Sequence, residues 1–320
     1  MPLNRRRLLA ATLAAPLVAP LAVPALRARA AETRVLRIGY QKGQAVQLAA
    51  RANGSLEAAL APLDVRTEWT EFPYGAALLE AARVGSIDLG AVGDTPPLFA
   101  QAAHANLVYV AMVQAAQTAI LLPPNSPIHT LQDLKGKRIA FTRGSTAQNF
   151  LLMALEKAAL HYSDIQPALL NPADAGAAFQ RGAIDAWSVW DPYYAVFEGH
   201  PGVRILASNK DLGDQNAFFI AGRGFAQANG PVLAKAIDTF ATAATWATGH
   251  RTETGALLAQ ATGLPRDAAQ RVVDRLPFAV RPISPALIQS QQAIADRFHA
   301  LGLLPTDIKV ADAVWHGAKA

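Results

Sequence analysis

The sequence predicts an α/β protein made of two similar lobes. Three observations carry that prediction. Short apolar runs of strand length alternate with helical segments along most of the chain. One ten-residue junction, starting at Gly85, recurs at Gly182. The 320 residues are 52% apolar and 17% charged, which is enough for two ordinary domains with sizeable cores and excludes global disorder.

Taken in order, residues 35–39 read as a strand, followed by a turn at Gln41-Lys42-Gly43 and a helix over 45–52. Residues 65–70 form the next strand, 75–84 a helix and 87–92 a short buried strand. Pro96 and Pro97 open another helix, because proline fits a first helical turn. Strands follow at 107–112, 119–122 and 139–142, then a helix over 146–160 and a strand at 186–189. The last hundred residues are mostly helical, over 232–248, 266–275 and 285–300. Such an order predicts mostly parallel sheets covered by helices on both faces.

The repeated junction is Gly85-Ser86-Ile87-Asp88-Leu89-Gly90-Ala91-Val92-Gly93-Asp94 and Gly182-Ala183-Ile184-Asp185-Ala186-Trp187-Ser188-Val189-Trp190-Asp191. Gly, Ile, Asp, Val and Asp match at the same offsets, and each copy follows an amphipathic helix. Helix–Gly–x–x–Asp–strand is also a common α/β junction, so the echo fits either a duplicated lobe or recurrent local architecture. Two lobes imply a cleft, and clefts between domains are where small ligands sit.

Residues 1–30 read as an export signal. Arg5-Arg6-Arg7 precede an Ala- and Leu-rich run, and Ala28-Arg29-Ala30 supplies a small-x-small cleavage pattern. The paired arginines before Leu8-Leu9 are compatible with twin-arginine or general secretory export. Pro16, Pro20 and Pro24 suit a cleaved segment better than a spanning helix. The formal charge of +5 resides here, since five arginines and no acid precede Glu32. Without them the chain carries 24 Lys plus Arg against 24 Asp plus Glu. A nucleic-acid partner is therefore not expected. With no cysteine, the exported chain has no disulfide and must be stable by packing alone.

Ligands of parallel sheets bind beyond the carboxyl ends of strands. Three such ends are Gly93-Asp94-Thr95, Gly144-Ser145-Thr146 and Trp190-Asp191. Each opens a helix, where unpaired N–H groups and the helix dipole can receive a small anion, although the same residues are ordinary helix caps. Catalysis is not expected. There is no cysteine nucleophile, Ser145 lacks the flanking Gly-x-Ser-x-Gly, and no glycine-rich phosphate or dinucleotide loop is present. His104, His129, His161, His200, His250, His299 and His316 never fall at metal-ligand spacing, so no metal site and no cofactor is expected. Arg143, one residue before a helix-start glycine, is expected at the solvated surface, with the cleft as the alternative.

The segments Ile38-Gly39-Tyr40-Gln41-Lys42-Gly43, Trp69-Thr70-Glu71-Phe72-Pro73, Gly85-Ser86-Ile87-Asp88, Thr95-Pro96-Pro97 and Trp190-Asp191-Pro192-Tyr193 together resemble the periplasmic aliphatic sulfonate-binding proteins of ABC importers. Asp133-Leu134-Lys135-Gly136-Lys137-Arg138-Ile139-Ala140 is similar to a segment shared with nitrate, taurine and thiamine-precursor receptors. The likeness runs over about residues 34–300.

The resemblance implies a type II periplasmic binding-protein fold with two crossovers. Residues 31–120 and 222–320 would form lobe I, residues 121–221 lobe II, with the ligand cleft between them. It implies a monomeric receptor that passes an alkanesulfonate to permease subunits at the inner membrane. Nitrate, taurine or a pyrimidine precursor stand as alternative cargo, and docking on a sensor as an alternative to the permease. The family's cleft positions fall on Gln41, Gly93, Asp94, Thr95, Gly144, Ser145, Thr146, Trp190, Asp191 and the segment containing Gln215. The family often carries Glu at the position of Asp94. On this reading Thr95, Ser145 and Thr146 donate backbone N–H groups to the anion and Gln41 donates from its amide. Trp190 walls the organic tail, Trp187 packs in a core, and Asp94 caps N–H groups beside the cleft. Asp191 either repels unwanted anions or pairs with an amine of a zwitterionic ligand.

Overall fold

The computed structural model describes residues 34–317; the expected export segment lies outside the described residues. Among them are eleven strands, β1 (Arg34–Tyr40), β2 (Val65–Glu71), β3 (Leu89–Gly93), β4 (Leu107–Gln114), β5 (Thr118–Leu122), β6 (Arg138–Phe141), β7 (Gln166–Leu169), β8 (Ala186–Trp190), β9 (Arg204–Ser208), β10 (Asn216–Gly222) and β11 (Val280–Arg281). They form two sheets, ordered β11-β4-β10-β3-β1-β2 and β7-β6-β8-β5-β9.

The two sheets share one plan. In each, the first strand sits between the second and third, all parallel (β2-β1-β3 and β7-β6-β8). One strand is then inserted antiparallel beside the third, β10 in the first sheet and β5 in the second. The fourth strand, β4 or β9, pairs antiparallel with that insert and so runs with the first three. Both inserted strands arrive from the other sheet, which is why they run against their neighbours. The chain crosses at residues 115–117 and again at 209–215. These crossings lie earlier than the expected boundaries at 120/121 and 221/222, because β5 pairs from Thr118 and β10 pairs with the first sheet over its whole length.

Alternate residues of the central strands point to opposite faces, and each face is apolar. Phe219 of β10 packs on one face of the first sheet with Leu36, Ile38 and Phe240. Its neighbours Phe218 and Ile220 pack on the other with Val92, Tyr109 and Phe298. In the second sheet Ile120 and Leu122 face Phe141 and Phe150, while Ala119 and Leu121 face Phe179 and the fully buried Trp187. The helices Gly230–Gly249 and Pro285–Ala300, with the helix Thr146–Lys157, supply much of this cover.

The repeated junction marks the third strand of each sheet and uses the same device twice. The helix Gly75–Arg83 ends at Gly85 (φ +75°), with Gly85 N–H donating to Ala82 O and Ser86 N–H to Ala81 O. The helix Pro172–Gln180 ends at Gly182 (φ +65°), with Gly182 N–H donating to Phe179 O and Ala183 N–H to Ala178 O. This helix stop needs a left-handed residue, and glycine adopts that conformation without a Cβ penalty. Three residues on, Asp88 accepts from Arg37 N–H at 2.9 Å, and Asp185 accepts from Arg138 N–H at 2.7 Å. Their own N–H groups donate back to Arg37 O and Arg138 O. Each aspartate thus pins the third strand to the first.

Asp88 is buried and also accepts from the Arg37 guanidinium at 2.9 and 2.7 Å, whereas Asp185 is exposed. Asp88→Ala is therefore expected to lower stability by about 2 kcal/mol and Asp185→Ala by less than about 1 kcal/mol. Urea unfolding midpoints of the two variants test the order.

Candidate functional site

The carboxyl ends of β1, β3 and β8, the first crossing segment and the start of β10 border a pocket between the sheets. It holds about 420 Å³ of space, partly open to solvent, and is lined by Gln41, Gln44, Gly75, Gly93, Pro96, Ala115, Ala116, Ser145, Thr146, Trp190 and Ala217. No lysine, arginine, aspartate or glutamate lines it. Gln41, Gly93, Ser145, Thr146 and Trp190 reach the pocket; Asp94, Thr95, Gly144, Asp191 and Gln215 lie behind its lining.

The three strand ends differ in one respect that decides where an anion can sit. At the first, the Asp94 carboxylate lies beside the start of the helix Thr95–Ala102. Its Oδ1 accepts from the Thr95 hydroxyl at 2.8 Å, and the helix has no side-chain cap. Pro96 and Pro97 remove two further donors from that helix start. Thr95 is fully buried and is not among the residues lining the pocket. At the third strand end, Asp191 Oδ1 accepts from Ala195 N–H at 3.0 Å and so caps the helix Tyr193–Glu198.

The middle end is free of acid. Ser145 caps the helix Thr146–Lys157 by accepting from Gln148 N–H, and its hydroxyl donates to Thr142 O at 2.6 Å. Gly144 N–H donates to Gln148 Oε1 at 2.7 Å, which turns the loop over the helix start. The N–H groups of Thr146 and Ala147 begin a twelve-residue helix, where no carbonyl of the preceding turn is available to them. Arg143 is exposed, as expected.

The opposite wall supplies a helix start that the motif reading missed. The helix Gly75–Arg83 opens at the pocket with no side-chain cap. Its signal in the sequence is negative: Phe72-Pro73-Tyr74-Gly75 contains no Ser, Thr, Asp or Asn to consume the first N–H groups. Gln44 precedes the helix Ala45–Ala52 in the same way. Of the helix starts at the pocket, Gly75 and Ser145–Thr146 are in its lining and Thr95 is not. Ala115 and Ala116 of the first crossing and Ala217 of β10 were missed because isolated small residues carry no motif.

Asp94 joins the two walls. Its Oδ2 accepts from Asn149 Nδ2 at 2.9 Å, and Gln215 Nε2 reaches both this oxygen at 3.5 Å and Thr146 O at 2.9 Å. Burial raises the Asp94 carboxyl above the usual range, opposed by hydrogen bonds from Thr95, Thr146 and Asn149. Gly93 touches Thr146 Oγ1 so closely that a Cβ at position 93 would collide with it. Gln41 spends one amide N–H on Ala91 O at 3.1 Å, which fixes its side chain at the pocket wall.

Asp191 is fully buried and lies 3.2 Å from Arg275. It therefore neither repels nor pairs with a ligand in the pocket; it ties β8 to the helix Arg266–Arg275. Burial raises its carboxyl to about 6, against the pull of Arg275 and Arg271. The unfolded value is about 3.9, so the folded chain holds a proton that the unfolded chain has lost. This group's stabilisation is complete below about pH 4, declines as pH rises to 6 and is absent above it. Unfolding midpoints measured from pH 4 to 7 should fall with rising pH, and Asp191→Asn should flatten that slope.

Comparison with known proteins follows the same lines. The family model described as NMT1/THI5 like matches residues 71–254. The alkanesulfonate-binding protein SsuA of Xanthomonas axonopodis pv. citri, solved bound to MOPS, superposes with a TM-score of 0.85 at 44% identity, covering 89% of this chain and 99% of that one. The periplasmic aliphatic sulphonate binding protein SsuA of Escherichia coli superposes with a TM-score of 0.82 at 41% identity, covering 90% and 94%. A desulfurization enzyme, DSZB, shares the fold alone, at 14% identity and a TM-score of 0.66. The relatives above 40% identity are binding proteins rather than enzymes. The chain belongs to the NMT1/THI5-like family and, within it, stands with the SsuA-type aliphatic sulfonate-binding proteins.

Proposed function

We propose that this chain is an exported receptor that holds the sulfonate group of an organosulfonate between its lobes and hands it to an ABC permease. The observation that carries the reading is the pair of helix starts, Gly75 and Ser145–Thr146, on opposite walls of a pocket without charged side chains. A sulfonate is a monoanion at every physiological pH and carries three acceptor oxygens. Helix-start N–H groups satisfy such oxygens without a counter-charge, and charge-assisted hydrogen bonds are the strong ones.

The remaining lining explains the preference for a carbon-bearing anion. Pro96, Ala115, Ala116, Ala217 and Trp190 give the pocket an apolar side that bare sulfate or nitrate leaves unused. Trp190 is the sole aromatic residue among them, so a flat pyrimidine would be stacked on one face only. On this reading residues 1–30 direct the chain to the periplasm by the twin-arginine or Sec route and are removed near residue 30. It works there as a monomer.

Titration calorimetry of the chain from residue 31 with alkanesulfonates, taurine, sulfate and nitrate tests the reading. Alkanesulfonates should bind most tightly; binding no tighter than sulfate would sink it. The backbone role has its own test. Thr146 is the first helical residue and follows an extended Ser145 (φ −108°, ψ 163°), so proline fits there while deleting one N–H. Thr146→Pro should weaken sulfonate binding about 10- to 100-fold, corresponding to about 1.5–3 kcal/mol for a charge-assisted hydrogen bond. Thr146→Ala, which keeps the N–H, should weaken it far less.

A further inference from the structure

The turn after β1 carries a polar side chain that no contact accounts for. Gln44 lines the anion pocket, is only 8% exposed, and stands before the helix Ala45–Ala52 without capping it. Its backbone is engaged: the N–H donates to Gln41 O at 2.9 Å and the carbonyl accepts from Leu48 N–H at 3.0 Å. Its side-chain amide has no hydrogen-bond partner among the described residues. We propose that Gln44 is a specificity-determining residue that donates this amide to the third oxygen of the bound sulfonate. The proposal rests on the sulfonate reading of the pocket.

The count of donors carries the argument. A sulfonate presents three oxygens around one sulfur. The helix starts at Gly75 and Ser145–Thr146, on opposite walls, answer two of them. The third needs a donor from another element, because an anionic oxygen taken from water without one loses its hydration uncompensated. The other polar side chains of the lining are already drawn off. The Ser145 hydroxyl donates to Thr142 O at 2.6 Å, Gln41 gives an amide N–H to Ala91 O at 3.1 Å, and the Thr146 hydroxyl is packed against Gly93. Gln44 is the lining amide that keeps both N–H groups free, and an amide donates to an anion without bringing a charge of its own.

The backbone beneath Gln44 is held on three sides. The Gln41 amide pins the turn to β3. Gly43 abuts the other sheet, where a Cβ would come within 2.6 Å of Asp191 O, just past β8. Gln47, one helical turn on, donates to Gly39 O at 3.2 Å. The turn is therefore fixed while the Gln44 side chain remains able to bring Nε2 to an anion. What it reads there is the oxygen that separates a sulfonate from a sulfinate, a monoanion with the same tail and one oxygen fewer.

Calorimetry at pH 7 with propane-1-sulfonate and propane-1-sulfinate tests the assignment. The chain should bind the sulfonate about tenfold more tightly, because the sulfinate leaves the Gln44 amide buried without an acceptor. Gln44→Met keeps the length of the side chain and removes both N–H groups. It should weaken sulfonate binding about tenfold and sulfinate binding much less, so that the affinity ratio approaches one. Gln44→Glu sets a carboxylate where the amide stood and should weaken both compounds more than Gln44→Met does. Thermal melts confirm that each variant is folded. Equal binding of the two compounds by the unaltered chain, a ratio that survives Gln44→Met, or a Gln44→Glu variant that binds no worse than Gln44→Met overturns the third-oxygen assignment while leaving the sulfonate reading intact. Failure of both compounds to bind the unaltered chain overturns both.

Discussion

The arrangement depends on the unpaired N–H groups at helix starts and on what answers them. Four helices begin around the pocket, and the chain treats them differently. The Thr95 start is stripped of donors by two prolines, and its Thr95 hydroxyl is taken by the Asp94 carboxylate. The Gly75 start carries no side-chain cap, and the Thr146 start keeps free N–H groups above its Ser145 cap. A buried donor needs an acceptor, so the unanswered starts are a standing demand for an anion. No lysine or arginine is required, and none lines the pocket.

The carboxylates beside these helix starts also hold the two sheets to one another. Asp94, at the end of β3, reaches Asn149 on the helix Thr146–Lys157. Gln215, at the second crossing, bonds to Thr146 O at the same helix. At the outer rim Arg297 meets Glu156 and also Asn149 at 3.1 Å, and on the far side Arg275 meets Asp191 and Glu198. The exposed Arg297–Glu156 pair contributes little by itself. The buried contacts matter more, because losing either partner leaves a polar group in the interior without an answer. Moving the sheets apart would expose Asp94 and the helix starts to water together.

Much of this was legible in the sequence. The repeated Gly-x-Ile-Asp junction proved to be the third strand of each sheet, and its residues have local reasons: glycine for a left-handed helix stop, aspartate for a strand N–H. Ser145-Thr146 was recognisable as a helix start at a strand end, and Trp187 as core. Asp191 has the spacing of a site residue, but its side chain points away from the pocket. Asp191 is turned toward Arg275, which is distant in sequence and close only after folding. Gly75 escaped notice because an uncapped helix start is marked by what is missing.

The sequence by itself determined the alternation of strands and helices, the two-lobe plan and the neutral charge of the chain beyond residue 30, because these follow from local pattern and composition. Only the tertiary structure decided which helix starts face the pocket. Each candidate start has the right residues locally, and whether its N–H groups are spent depends on partners from other parts of the chain: Asn149 and Gln215 for Asp94, Arg275 for Asp191. A hydrogen bond is a fact of three-dimensional direction, and no periodicity along one dimension records it.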